Sequence, residues 1–238
     1  MTYQSLILGA SGRNNLESRF NKCQFQVRSE LNLVNAAIGT NEFANNVVIA
    51  LDPEDYKLSE FYKVGDKTSL IEIKNKTKGA LATSGLCLDL LNDELPIVIQ
   101  SIDGLCFDLI HDFVFEMQES DSDGGVIVFP SINPIYSYVR VSGNTPIEFA
   151  EKQLIGEYAT AGIFYFRNKE LLIESIRWAI LYQIRYMDNY YLSSAMNKFI
   201  FEGKKVSLFE ISEQSYYRFA TENEALDARE RLRNNNFG

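Results

Sequence analysis

Short apolar runs alternate with amphipathic stretches along the first hundred residues of this chain. "YQSLILGAS" (3–11) reads as a buried strand stopped by Gly9 and Gly12, and "NNVVIAL" (45–51) as a second one closed by Asp52-Pro53. "SLIEIK" (69–74) and "LPIVIQSID" (95–103) supply a third and a fourth. Between them, "ELNLVNAAIGTN" (30–41) has helical spacing through Leu31, Val34 and Ile38, with Gly39 as a stop. "DPEDYKLSEFYKVG" (52–65) predicts a short helix and "ALATSGLCLDLL" (80–91) a longer one. Fully apolar strands alternating with helices predict an α/β fold, with a mostly parallel central sheet covered by helices on both faces.

The pattern loosens in the second half. "DGGVIVFP" (123–130), "YSYVRV" (136–141), "EFAEKQ" (148–153) and "EYATAGIFYFRN" (157–168) predict strands separated by turns. "ELLIESIRWAILYQIR" (170–185) and "NYYLSSAMNKFIFEGKK" (189–205) predict helices, the second ended by Gly203, and "VSLFEI" (206–211) a last strand. From Glu222 the tail reads as a charged helix that frays into Asn-rich coil. No linker or repeat interrupts the chain, so one domain over 1–238 is expected. Two lobes, about 1–110 and about 111–238, are expected within it.

Composition narrows the function classes. The 238 residues are 46% hydrophobic and 13% aromatic, enough for a full core without staples. Three scattered cysteines, Cys23, Cys87 and Cys106, fit neither a disulfide framework nor a zinc site. No leader and no stretch of about 20 apolar residues is visible, so a cytoplasmic chain without membrane insertion is expected. A net charge of −9 argues against sequence-independent nucleic-acid binding. Yet Arg13, Arg19, Lys22 and Arg28 face only Glu17 and Glu30 in the first thirty residues, so that end is locally positive and suits a small anion.

"LILGASGRNNLESRFNK" (6–22) places that charge behind a glycine turn. A dinucleotide fold would need a third glycine and an acidic residue about twenty positions on; the second strand instead ends at Asp52. The stretch resembles the signature of sugar-phosphate nucleotidyltransferases: apolar strand, small-residue turn with a G-x-G-x-R core, then Pro-Lys. Here the G-x-G-x-R core is not intact and Asn21 stands in place of the proline, while "SRF" (18–20) looks like the end of the arginine segment. "NKTKGALATS" (75–84), "LPIVIQSIDGL" (95–105) and "IEFAEKQLIGEYATAGIFYF" (147–166) resemble further family segments in order, as does "RFATENEAL" (218–226). The likeness runs with gaps from residue 5 to about 228 and is nearest the capsule and lipopolysaccharide branch.

The resemblance implies the family's chemistry. An NTP and a small phosphorylated acceptor, a sugar phosphate or similar building block for a surface polysaccharide, would be the partners, and oligomerisation is left open. Arg19 and Lys22, with Arg13 beside them, would act on the triphosphate. Leu8, Gly9, Ala10, Ser11, Gly12, Gly79 and Ala80 would hold the nucleotide. Asp103 would bind Mg2+, which tolerates a single carboxylate completed by phosphates and water. Glu151, Lys152 and Gly162 would line the acceptor pocket. Arg218 occupies the position where many members carry a second metal carboxylate. Two other classes compete: a catalytically diverged nucleotide or sugar-phosphate binding module, and a GT-A glycosyltransferase using "DSD" (121–123), which also reads as a turn before a strand. His111 and Trp178 read as structural.

Overall fold

The computed structural model describes residues 2–10 and 20–234. The first half runs β1 (Gln4–Leu8), β2 (Gln26–Arg28), β3 (Leu31–Asn32), α1 (Leu33–Gly39), β4 (Asn46–Leu51), α2 (Pro53–Tyr56), β5 (Thr68–Glu72), α3 (Ala80–Leu86), β6 (Ile97–Ser101) and β7 (Gly104–Leu105). The second runs α4 (Ile110–Glu119), β8 (Gly124–Pro130), β9 (Tyr138–Ser142), β10 (Thr145–Ala150), β11 (Tyr158–Phe166), α5 (Lys169–Leu181), α6 (Leu192–Phe201), β12 (Val206–Glu210), β13 (Tyr217–Arg218) and α7 (Glu222–Asn234).

One nine-stranded sheet joins both halves in the order β10-β9-β11-β6-β1-β4-β5, with β8 beside β11 and β12 beside β8. β5, β4, β1 and β6 pair in parallel, as the nearly continuous apolar runs of β4, β1 and β6 predict, with β5 a partly exposed edge strand. β11 enters antiparallel beside β6, and β8 and β9 run antiparallel to it. β12 is parallel to β8, while β10 turns back on β9. All strands of this sheet but β10 and β11 therefore point the same way, the mostly parallel α/β sheet that the sequence predicts.

Period-two alternation sends side chains to two cores. Ile7, Ile49, Val98 and Ile127 join Phe113 of α4 on one face. Leu6, Leu8, Val48 and Ile99 meet Leu172 of α5 and Phe199 of α6 on the other. Burial of β1 and β6 on both faces leaves their carboxyl ends as the crevice of the sheet.

Local chemistry corrects some expected boundaries. The helix predicted from Leu31 begins at Leu33, because the Asn32 side chain accepts from the Asn35 amide and caps it. The helix expected over 80–91 stops at Leu86 and continues as a 3-10 turn, Leu88–Leu90. Thr83 and Ser84 bond back to the carbonyls of Gly79 and Ala80, which weakens its continuation. The helix expected over 170–185 ends at Leu181, and Gln183 turns to φ +54°. α4 lies in a stretch for which no helix was predicted, although Ile110, Phe113, Val114 and Met117 bury with helical spacing. The three cysteines are buried free thiols, as expected. Trp178 is half-buried against the α5–α6 core, and His111 is exposed beside the Phe43 ring.

Candidate active site at the carboxyl edge of the sheet

The chain re-enters the described structure at Phe20 and at once makes a tight turn. The Asn21 side chain accepts from the Gln24 amide at 3.3 Å, and the Lys22 carbonyl accepts from the Phe25 amide at 3.0 Å. Asn21 thus builds a local turn of its own where the family pattern has proline. Next to it, Cys23 is buried, its thiol pushed well up by burial and then by the nearby Asp55 carboxylate. Anchored there, Lys22 points outward, and its Nζ donates to Asp103 Oδ2 at 2.7 Å.

Asp103 lies just past β6, between Ser101 and Gly104. Ser101 Oγ donates to its Oδ1 at 2.5 Å. Burial alone would raise the carboxyl, but Lys22, Ser101 and Arg218 outweigh it and hold it below its ordinary value. Its backbone is fixed as well: the Asp103 carbonyl accepts from the Phe219 amide at 2.8 Å, and Arg218 pairs with Gly104 across β13–β7. Arg218 in turn is held by Glu224, which also accepts from the Thr221 amide and hydroxyl at 2.9 Å. This is a capping box at the start of α7, legible in "TENE" (221–224) but not read there. Where a second carboxylate was at issue, Asp103 therefore faces a second cation.

Beside Ser101 opens a cleft of about 240 Å³. Leu8, Ala10, Gly79 and Ala80 line it, so four of the predicted nucleotide residues come together. One expectation changes. The Gly9 and Ala10 amides both donate to the Ala50 carbonyl, at 2.7 and 2.9 Å, so they are tied into the sheet rather than turned to a phosphate. Gly79, expected to hold the nucleotide, also has a structural reason to be glycine, because backbone packs against it. At φ +97°, a Cβ here would stand 2.5 Å from the Tyr190 carbonyl oxygen. Tyr190 accepts from the Leu81 amide and donates to the Lys78 carbonyl, docking the loop after α5 onto this wall. Gly79→Ala should therefore cost about 1–3 kcal/mol of stability, read as a lower urea midpoint at unchanged slope. Ser11, Gly12, Arg13 and Arg19 lie outside the described residues.

That docked loop also carries Asn189 and Tyr191 into the cleft, two residues that no motif announces. Tyr191 leads toward the predicted acceptor side, where the Glu151 charge acts on its hydroxyl. Glu151 accepts from Ser137 and, at 3.4 Å, from Ser193. Burial raises its carboxyl above the ordinary range, against the pull of those hydroxyls and of Lys152. Lys152 itself is exposed, at φ +51°. Gly162, at φ +73°, makes the bulge between Thr160 and Phe164, one step past the Ile163–Gln100 pair and hence beside Ser101.

The "DSD" triplet is elsewhere. It precedes β8, which runs the same way as β6, so it lies at the opposite edge of the sheet from Asp103. There Asp121 and Asp123 pair with Arg167, and Asp123 accepts from the Lys205 amide. Its role is a turn.

A carboxylate and a lysine meet at the mouth of a mostly parallel sheet, beside a cleft walled by a helix start, and the fold around them is that of the sugar-phosphate nucleotidyltransferases. Solved structures align with this chain over nearly its whole length. They include a nucleoside-diphosphate-sugar pyrophosphorylase from Vibrio cholerae (17% identity, 97% of this chain and 100% of that one, TM-score 0.77). A structure described as a glucose-1-phosphate thymidylyltransferase from Bacillus anthracis matches at 16% identity, 100% and 98% coverage and TM-score 0.79. The inositol-1-phosphate CTP transferase from T. maritima matches at 15% identity, 98% and 96% coverage and TM-score 0.73. Neither a protein-family model nor a curated protein matches the chain.

Proposed function

We propose that the chain is a nucleotidyltransferase that moves a nucleoside monophosphate from an NTP to a sugar phosphate or similar phosphorylated building block of a surface polysaccharide. An acceptor phosphate oxygen attacks the α-phosphorus in line, and pyrophosphate leaves. The observation that carries this reading is the Lys22–Asp103 contact at 2.7 Å, set beside Ser101 at the mouth of the cleft. Such chemistry needs mainly position and charge, which these residues supply. Lys22 moves from Asp103 to the phosphates and balances charge gathering on the leaving pyrophosphate; Arg13 and Arg19 fall in the segment just before it. Leu8, Ala10, Gly79 and Ala80 hold the nucleoside, and Glu151 with Lys152 and the Gly162 bulge receive the acceptor.

Asp103 fits Mg2+ as a hard, ionised oxygen donor, and among the described residues no group of three Asp, Glu, His or Cys forms a closed metal centre. The ion would therefore arrive with the nucleotide, its shell completed by phosphate and water oxygens, and would supply Lewis-acid neutralisation. No helix among the described residues is long and apolar enough to cross a membrane.

A pyrophosphate-release assay over four NTPs and a panel of sugar phosphates tests the proposal, with release expected from one pairing above the others. Glu151→Ala should raise the acceptor KM about tenfold, the value of one hydrogen bond to a charged group, and leave the NTP KM unchanged. Because burial raises the Glu151 carboxyl, the wild-type acceptor KM should rise on acidification before the pH reaches the ordinary carboxylate range. Glu151→Gln should lose that limb. A second reading, a binding module without turnover, is favoured by one observation: Arg218, tied to Glu224, where a second carboxylate was at issue. NTP affinity by calorimetry with no product from any acceptor would decide for it.

A further inference from the structure

Thr77 lies just before α3 and Thr83 within it, and their hydroxyl oxygens meet at 2.6 Å on the wall of the cleft. Either group could donate across such a contact, but the surroundings choose a direction. Thr83 is 2% exposed, and its hydroxyl stands 3.1 Å from the Gly79 carbonyl. A buried hydroxyl is satisfied when it both donates and accepts. Thr83 achieves this by donating to Gly79 and accepting from Thr77; the reverse order makes one bond where two are available. The Thr77 proton is thereby committed to Thr83, and its oxygen turns lone pairs to the cleft. Around it, Leu8, Ala10 and Ala80 offer apolar surface suited to the faces of a flat ring.

The geometry points to Thr77 as a residue that selects the nucleobase: its oxygen accepts from a ring N–H or an exocyclic amino group, and Thr83 is the positioning residue that fixes the proton. A base edge presenting only a carbonyl or an unprotonated ring nitrogen there is rejected, since acceptor would face acceptor. This inference rests on the nucleotidyltransferase reading of the cleft and adds to it what the cleft reads.

Calorimetric titration of each of the four NTPs, with Mg2+, into wild type, Thr77→Val, Thr77→Ser and Thr83→Val tests it. Valine keeps the shape of threonine without the oxygen. Thr77→Val should weaken the preferred NTP about tenfold and the others by less than about twofold, so that the ranking flattens, on the scale of one hydrogen bond. Thr77→Ser should keep the ranking. Thr83→Val leaves the Thr77 oxygen in place and releases its proton to the cleft, so the rank order itself should change, which a merely structural threonine would not cause. An unchanged ranking in Thr77→Val overturns the inference, as does an equal loss for all four NTPs, which would mean that the hydroxyl reads ribose. Wild type that binds no NTP removes the nucleotide reading itself, and this inference with it.

Discussion

Asp103→Ala should lower turnover by at least about 100-fold while leaving nucleotide binding in EDTA unchanged or tighter. The loss is the scale for removing one preorganised electrostatic stabiliser. The split follows from charge. Asp103 is an anion at the mouth of the cleft, held ionised by Lys22, Ser101 and Arg218. Toward a bare triphosphate it is repulsive, and only with a divalent cation between them does it attract. Under the proposed function, removing it should therefore strip the Mg2+ dependence from binding and the rate from chemistry. The carboxyl also reports on stability. Its pKa is depressed below the ordinary 3.8, so the pair contributes stability that is present above about pH 4 and is lost as the pH falls through the folded-state pKa. Acid unfolding of Asp103→Asn should be the shallower for it; identical acid limbs in the two proteins would contradict the pair's part.

Lys22→Ala should also cost at least about 100-fold in turnover, here with weaker NTP affinity. In the proposed mechanism the ammonium would leave a partner at 2.7 Å for phosphate, and that partner would need another donor in the loaded site. Ser101 and Arg218 stand ready to do that. Lys22→Arg should not restore the rate, because a planar fork on a longer stem replaces a compact point charge. The double variant Lys22→Ala/Asp103→Ala should be no slower than the worse single one, since groups acting as a unit are not additive. Multiplying losses would mean two separate sites.

How far the sequence revealed this arrangement depends on how local each cause is. Three of the four parallel strands, β1, β4 and β6, were legible because each is buried on both faces and is stopped by Gly, Asp-Pro or Asp-Gly, whereas the partly exposed β5 was read from "SLIEIK" by its place in the alternation of strand and helix. Asp103 was legible for the same reason, as the first charge after a buried strand. Lys22 followed from the resemblance, which sets it at the Pro-Lys position behind a glycine turn, although the residues between lie outside the described structure. What escaped was set by distant contacts. Gly79 is glycine because the Tyr190 backbone lies against it, and nothing in "NKTKG" announces Tyr190. Tyr191 enters the cleft because a loop with positive φ at Gln183, Met187 and Asp188 folds back over α3. "DSD" shows the converse: its residue types suit a metal, and only the direction of β8 shows that it stands at the wrong edge of the sheet. Arg218 is intermediate, since its partner could have been read from "TENE" but its placement over Gly104 could not.

The most direct measurement is a crystal structure of the chain grown with the NTP that binds best and Mg2+. The triphosphate should lie between Lys22 and Asp103, the ion on the Asp103 carboxylate, and the base against Leu8, Ala10 and Ala80. A nucleotide seated elsewhere, for example in the roughly 520 Å³ cleft between Tyr136 and Arg231, with the Lys22–Asp103 pair still closed, would contradict it.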